Sequence, residues 1–180
     1  EPAIFAKVAK VLLPKAYLRY RLSGEYAEDM SDASGTLWLD VGARRWSEAA
    51  LAACGMRLDQ MPRLVEGSEV AGQLSPALAS RWGFKRAPLI AGGAGDNAAG
   101  AVGVGAVHPG DAFVSLGTSG VLWATTAKFA PNPARAVHAF CHAVPNTWHQ
   151  MGVLLSAAAC LAWWASVTGR HEPELLSEID

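Results

Sequence analysis

AGGAGDNAAGAVGVG, residues 91–105, is the least ordinary stretch of this chain. It continues a short apolar run from Pro88, PLIAGG, that reads as a strand. Its Gly-rich centre reads as a tight turn, and the residues beyond it as a helix of small side chains. Asp96 is the only charged side chain between Arg86 and Asp111. An aspartate after a glycine turn is a good helix N-cap, because its carboxylate accepts backbone N–H bonds. A carboxylate among close-packed backbones, with no neighbouring cation, is also placed to accept a proton from a bound hydroxyl. The two roles are compatible, since one oxygen can cap while the other faces a ligand. A dinucleotide fingerprint, Gly93-x-Gly95-x-x-Ala98, fits the same residues. Asp96 would then sit where the helix N-terminus must meet a pyrophosphate, and like charges repel there.

Outward from this segment, VSLGTSGVLW at 114–123 places Gly117, Thr118, Ser119 and Gly120 between two strand-like runs. Two glycines let the backbone approach a ligand, and the two hydroxyls add donors around exposed N–H groups. That is the chemistry of a phosphate cradle on a β-hairpin, although Thr-Ser-Gly is also an everyday turn. No Gly-Lys-Thr/Ser follows, so it is not a Walker loop. His138, Cys141 and His142 form H-x-x-C-H, but further ligands at zinc-like spacing are missing, and we read no metal site.

The remaining chain supplies the frame. An apolar stripe (Ile4, Phe5, Val8, Val11, Leu12) predicts a helix over 2–13, stopped by Pro14, and a second helix running to Gly24. Residues 25–36 read as a polar loop and LWLDV at 37–41 as a short strand. Ser47 caps a predicted helix through Cys54, closed by Gly55, and Ser75-Pro76 opens another to about Trp82. Residues 136–152 read as two strands around Pro145-Asn146, with a four-turn helix ending near Gly169. The uncharged run 151–167 is short and rich in small residues for a membrane span, so it reads as a buried helix. Most of the seven tryptophans are expected in the core, and GVGAVHPG at 103–110 as the hinge or boundary.

Composition narrows the classes. The chain has 180 residues, 51% of them hydrophobic, with 15 Lys+Arg against 16 Asp+Glu. It can fill a core, and it offers no global field for nucleic acid. Three widely spaced cysteines suit buried thiols in a reducing cytoplasm. The N-terminus carries neither a start methionine nor a signal-peptide pattern, as an internal segment would.

Taken in order, DMSDASGTLWLDV (29–41), AGGAGDNAAGAVGVG (91–105), VSLGTSGVLW (114–123) and AVHAFCHAVPNTWHQMGVLLSAA (136–158) resemble the FGGY carbohydrate kinases over essentially the whole chain. The resemblance leans to the branch that phosphorylates D-xylulose. It implies an α/β, ribonuclease H-like (actin-like ATPase) fold of two domains, present only in part. Residues 1–104 would be the end of the sugar-binding domain and 105–180 the beginning of the ATP-binding domain. By this resemblance Asp96 is the catalytic base and Asn97 the adjacent sugar-binding position. Gly117, Thr118 and Ser119 hold ATP phosphates, and the start of the last helix, at Ser156 and Ala157, approaches them. ATP and Mg2+ are the implied cosubstrate and cofactor, a sugar the partner, and a homodimer a family-level expectation, with no membrane or nucleic-acid partner. Family members are much longer and carry an N-terminal phosphate hairpin and an adenosine motif that this sequence does not contain. The 180 residues alone are therefore expected to be inactive. L-ribulose, gluconate and glycerol kinases share the scaffold, and a non-catalytic sugar-sensing module is the alternative of another class.

Overall fold

The computed structural model describes residues 1–179. Prolines and small polar residues punctuate its first half. Helix α1 (Pro2–Phe5) ends after one turn. Pro14 does not stop it: Pro14 is the first residue of α2 (Pro14–Ser23), where its missing N–H costs nothing. The helix predicted over 2–13 is thus corrected to one turn. Val8 and Val11 pack on the Leu51, Met56 and Met61 cluster from irregular backbone instead. Gly24, at φ 82°, ends α2 in the left-handed conformation.

Residues 25–36 are not a loop. Strand β1 (Ala27–Asp29) runs into α3 (Met30–Ala33), whose N-terminal Ser31 and Asp32 N–H groups are capped by Asp29 Oδ1 at 3.1 and 3.2 Å. A charged, three-residue strand carries no period-2 signal, and its partner lies far along the chain. After the hairpin β2 (Leu39–Asp40)–β3 (Arg45–Trp46) and helix α4 (Glu48–Ala53), strand β4 (Arg63–Val65) pairs in parallel with β1. Strands β5 (Val70–Gln73) and β6 (Leu89–Ala91) pair antiparallel, flanking α5 (Pro76–Arg81). Ser47 and Ser75 cap α4 and α5 as expected, accepting from Ala50 N and Leu78 N.

Helix α6 (Asp96–Gly103) leads to one four-stranded antiparallel sheet. Its order is β7 (Ala112–Leu116), β8 (Gly120–Thr126), β10 (Trp148–Leu154), β9 (His138–Cys141). Helices α7 (Ala158–Thr168) and α8 (Glu172–Leu176) follow. The uncharged run 151–167 is therefore not one buried helix. Residues up to Leu154 finish β10, and α7 is three turns with only Ala165 buried. Among the described residues no helix is long and apolar enough to cross a membrane.

The largest core lies where α6 meets the sheet: Ala98, Ala101, Ala106, Trp123 and Met151. The alanines let the helix approach closely, and Trp123, fully buried, fills the interval. Truncating so large a core side chain costs about 3–5 kcal/mol. The other tryptophans are not core, contrary to expectation: Trp38, Trp46 and Trp148 are half-buried and Trp82, Trp163 and Trp164 exposed. His142 is structural, with Nε2 3.0 Å from Ala106 O and Nδ1 accepting from Val144 N at 3.0 Å. His138 is exposed and Cys141 buried.

Candidate active site

The backbone around Asp96 is set by what surrounds the glycines. A Cβ on Gly92 would collide with the carbonyl of Glu66, and Gly93 has φ +73°. Buried Arg19 donates from Nη1 to Ala27 O at 2.5 Å and from Nη2 to Gly92 O, tying the turn to β1. Gly95 N donates to Ser31 Oγ at 2.9 Å, and Ser31 Oγ donates to Asp29 Oδ1 at 2.5 Å. Asp29 in turn pairs with Lys15. A continuous polar chain thus runs from Lys15 to the start of α6.

That chain corrects the capping expectation by one residue. Gly95, held extended by Ser31, is the N-cap, and Asp96 is the first helical residue. Among the described residues its Oδ1 accepts only its neighbour's N–H, Asn97 N, at 2.7 Å. The carboxylate benefits from the helix N-terminus and remains exposed. It faces a pocket of about 190 Å³ lined also by Ser31, Asp32, Asn97, Phe140, His149 and Met151. Asp96 and Asn97 therefore share one concave site, to which β9 and β10 contribute the far wall.

Gly117, Thr118 and Ser119 lie elsewhere. They form the three-residue turn between Leu116 and Gly120, with Gly117 N donating to Ser119 O at 2.8 Å. All three are exposed. Among the described residues the N–H groups of Thr118 and Ser119 donate to nothing. The turn is docked on α7, because Ala157 N and Ala158 N donate to Thr118 O and Gly117 O at 2.8 and 3.0 Å. These two helix N–H groups are committed to the loop, so the helix start positions the cradle. Met151, in the pocket wall, pairs with Trp123, and Leu154 pairs with Gly120 three residues on. At ~3.4 Å per residue the turn lies roughly 10 Å along the strands from the Asp96 pocket.

Beside the pocket Lys15 sits among Glu28, Asp29 and Asp32, 3.3 Å from Glu28 Oε1 and 3.1 Å from Asp32 Oδ2. Burial alone would lower the Lys15 pKa, but Asp29, Glu28 and Asp32 together outweigh it and raise it. Burial pushes the Glu28 carboxyl up to about 7, against the pull of Lys15. The three carboxylates have the spacing of a cation site. The ammonium already stands where a cation would, so the residues present do not fit Mg2+. Burial likewise lowers both buried histidines, His149 to about 3 and His142 in the same direction. Neither Ser31, Asp32 nor His149 was singled out by sequence reasoning. SDASG was legible as a motif, but nothing local assigns it to the turn before Asp96.

This architecture has counterparts. The model of the FGGY family of carbohydrate kinases, N-terminal domain, matches residues 1–103. The chain is 58% identical over 169 residues to a xylulose kinase of Escherichia coli (strain K12), covering 94% of this chain and 35% of that protein. A crystal structure of a xyloylose kinase from Brucella ovis superposes with a TM-score of 0.94 at 57% identity, covering 99% of this chain and 37% of that one. A glycerol kinase of Plasmodium falciparum shares the fold at a TM-score of 0.78 and 15% identity, covering 93% of this chain and 35% of that one. The chain thus spans about a third of the length of the relatives it matches. Its α/β fold is that of a two-domain, actin-like kinase, of which this chain holds a part. With a family model covering more than half of it, and the glycine turn and strand hairpin in place on that fold, the chain belongs to the FGGY family of carbohydrate kinases.

Proposed function

We propose that this chain is part of an ATP-dependent ketose kinase that converts D-xylulose to D-xylulose 5-phosphate. In this reading residues 1–104 end the sugar-binding domain and 105–180 begin the ATP-binding domain. The observation that carries it is the Asp96 carboxylate, one oxygen bonded to Asn97 N and the other without a partner among the described residues, in a pocket lined from both parts. The high identity to proteins named xylulose kinase supports the choice of sugar.

The chemistry follows from that placement. Asp96 takes the proton of the terminal sugar hydroxyl as its oxygen attacks the γ-phosphorus of ATP, and ADP leaves. Asn97, beside it, presents an amide to the sugar. The free N–H groups and hydroxyls of Thr118 and Ser119 hold phosphate oxygens, with Gly117 allowing close approach. Phosphoryl transfer depends on positioning and charge neutralisation more than covalent chemistry. Mg2+ would arrive on the ATP phosphates, and nothing in this chain is assigned to hold it. A reducing cytoplasm suits the free thiols of Cys54, Cys141 and Cys160.

The test is ATP consumption by the intact kinase on D-xylulose, L-ribulose, gluconate and glycerol, with Asp96→Ala alongside. Turnover selective for D-xylulose, lowered about 10²- to 10⁴-fold in the variant with ATP still bound, is the expected result. Turnover on another sugar moves the specificity, and ATP binding without any turnover points to a sensing module.

A further inference from the structure

His149 is 2% exposed, and among the described residues neither of its ring nitrogens has a hydrogen-bond partner. A neutral imidazole carries one N–H and one lone-pair nitrogen, and leaving both unpaired in the interior is costly. The polar groups of the aromatic side chains packed on the ring are already committed. Trp123, stacked on it with centroids 3.5 Å apart, donates to Thr125 Oγ1 at 3.0 Å. Thr125 Oγ1 donates to Ala106 O, and both nitrogens of His142 are engaged. Phe140 closes another side edge-on. The residue also lines the pocket that Asp96 faces.

We propose that His149 is a sugar-binding residue, whose imidazole hydrogen-bonds the C1, C3 or C4 hydroxyl of the ketose whose terminal hydroxyl meets Asp96. The inference rests on the kinase reading above and deepens it. A ring held flat against Trp123 has its nitrogens in the plane of the stack, where they are rigid and already desolvated. Such a site favours a sugar bearing the matching oxygen, because an analogue without it leaves the nitrogen unpaired. Burial keeps the ring neutral across the working pH range, so it can donate from one nitrogen and accept at the other.

The test uses the intact kinase with D-xylulose and its 1-, 3- and 4-deoxy analogues. His149→Phe keeps the aromatic stack and removes both nitrogens, and His149→Gln restores a donor and an acceptor. His149→Phe is expected to lower kcat/KM for D-xylulose by about tenfold to a hundredfold, with KM for ATP unchanged. For the analogue lacking the contacted oxygen, wild type and variant should agree within about twofold, and Gln should recover part of the loss on D-xylulose. An equal loss on every sugar, or none, overturns the contact, because a purely structural role cannot tell one hydroxyl from another. Should the variants fail to fold, the unmodified enzyme crystallised with D-xylulose decides. A ring nitrogen within about 3.2 Å of a sugar oxygen supports the proposal, and both beyond about 4 Å overturns it. An unmodified enzyme that phosphorylates none of these sugars overturns the kinase reading and this contact with it. An active enzyme indifferent to His149 overturns the contact alone.

Discussion

At Glu28 a carboxylate is buried beside two others, Asp29 and Asp32, with a single ammonium, Lys15, among the three. Burial disfavours the charged form of Glu28, and the Asp32 and Asp29 carboxylates add to that. Burial, against the pull of Lys15, raises Glu28 from 4.5 to about 7. Between those values the unfolded chain has released a proton that the native chain keeps, so stability falls as pH rises through the window and levels off above about 7. Glu28→Gln should therefore leave stability at pH 5 nearly unchanged and raise it at pH 8, by an amount of order 2 kcal/mol. Denaturant unfolding of both proteins across that range checks it, and parallel profiles would contradict it. At this scale the sequence was uneven. Asp96 stands out as a lone charge in a glycine-rich segment. Glu28 and His149 do not, because their character comes entirely from what surrounds them.

Among the elements, those with local punctuation were readable and those made by distant pairing were not. Gly24, Ser47 and Ser75 act through neighbours within a few residues, and the helix boundaries they imply are the observed ones. The β7–β8 turn was likewise legible from its glycines. Strands β1, β4 and β5 are three or four residues long and owe their existence to partners elsewhere. The turn's attachment to α7 could not be read either. A Cβ at Gly120 would come within 2.9 Å of Ala157 Cβ, so the close contact between hairpin and helix requires glycine. Gly120→Ala should push the turn from α7 at a cost of about 1–3 kcal/mol. On the proposed reading KM for ATP rises while KM for the sugar is spared, measured by varying each substrate in turn. A rise confined to the sugar would contradict the assignment of the loop.

Across the whole molecule, Arg44 joins segments far apart in the sequence. It grips the Glu66 carboxylate from Nε and Nη2 at 3.0 and 2.6 Å and donates to Thr147 O at 3.2 Å. Its guanidinium also lies 5.0 Å from the centre of the Trp148 ring. The sheet beyond residue 110 is less well covered. Leu155 is 89% exposed, Leu116 72% and Trp163 63%, with Leu122, Leu154 and Trp164 about half exposed. Large apolar side chains exposed to this degree favour association. The 180-residue chain on its own should sediment as oligomers, and paired Leu155→Ser and Trp163→Ser substitutions should shift it toward monomer. A wild-type monomer with sharp cooperative unfolding would contradict this.

By itself the sequence determined the family, the glycine turn carrying Asp96 and Asn97, the hairpin carrying Gly117, Thr118 and Ser119, and most helix caps. These rest on contiguous residues whose backbone needs are local. Tertiary structure alone decided that Ser31 holds Gly95 and moves the helix start ahead of Asp96. It alone set a lysine among three carboxylates and, among the described residues, left the nitrogens of His149 without partners. Each of these depends on groups brought together from distant parts of the chain. Burial and unpaired polarity belong to surroundings, and surroundings exist only once the chain has folded.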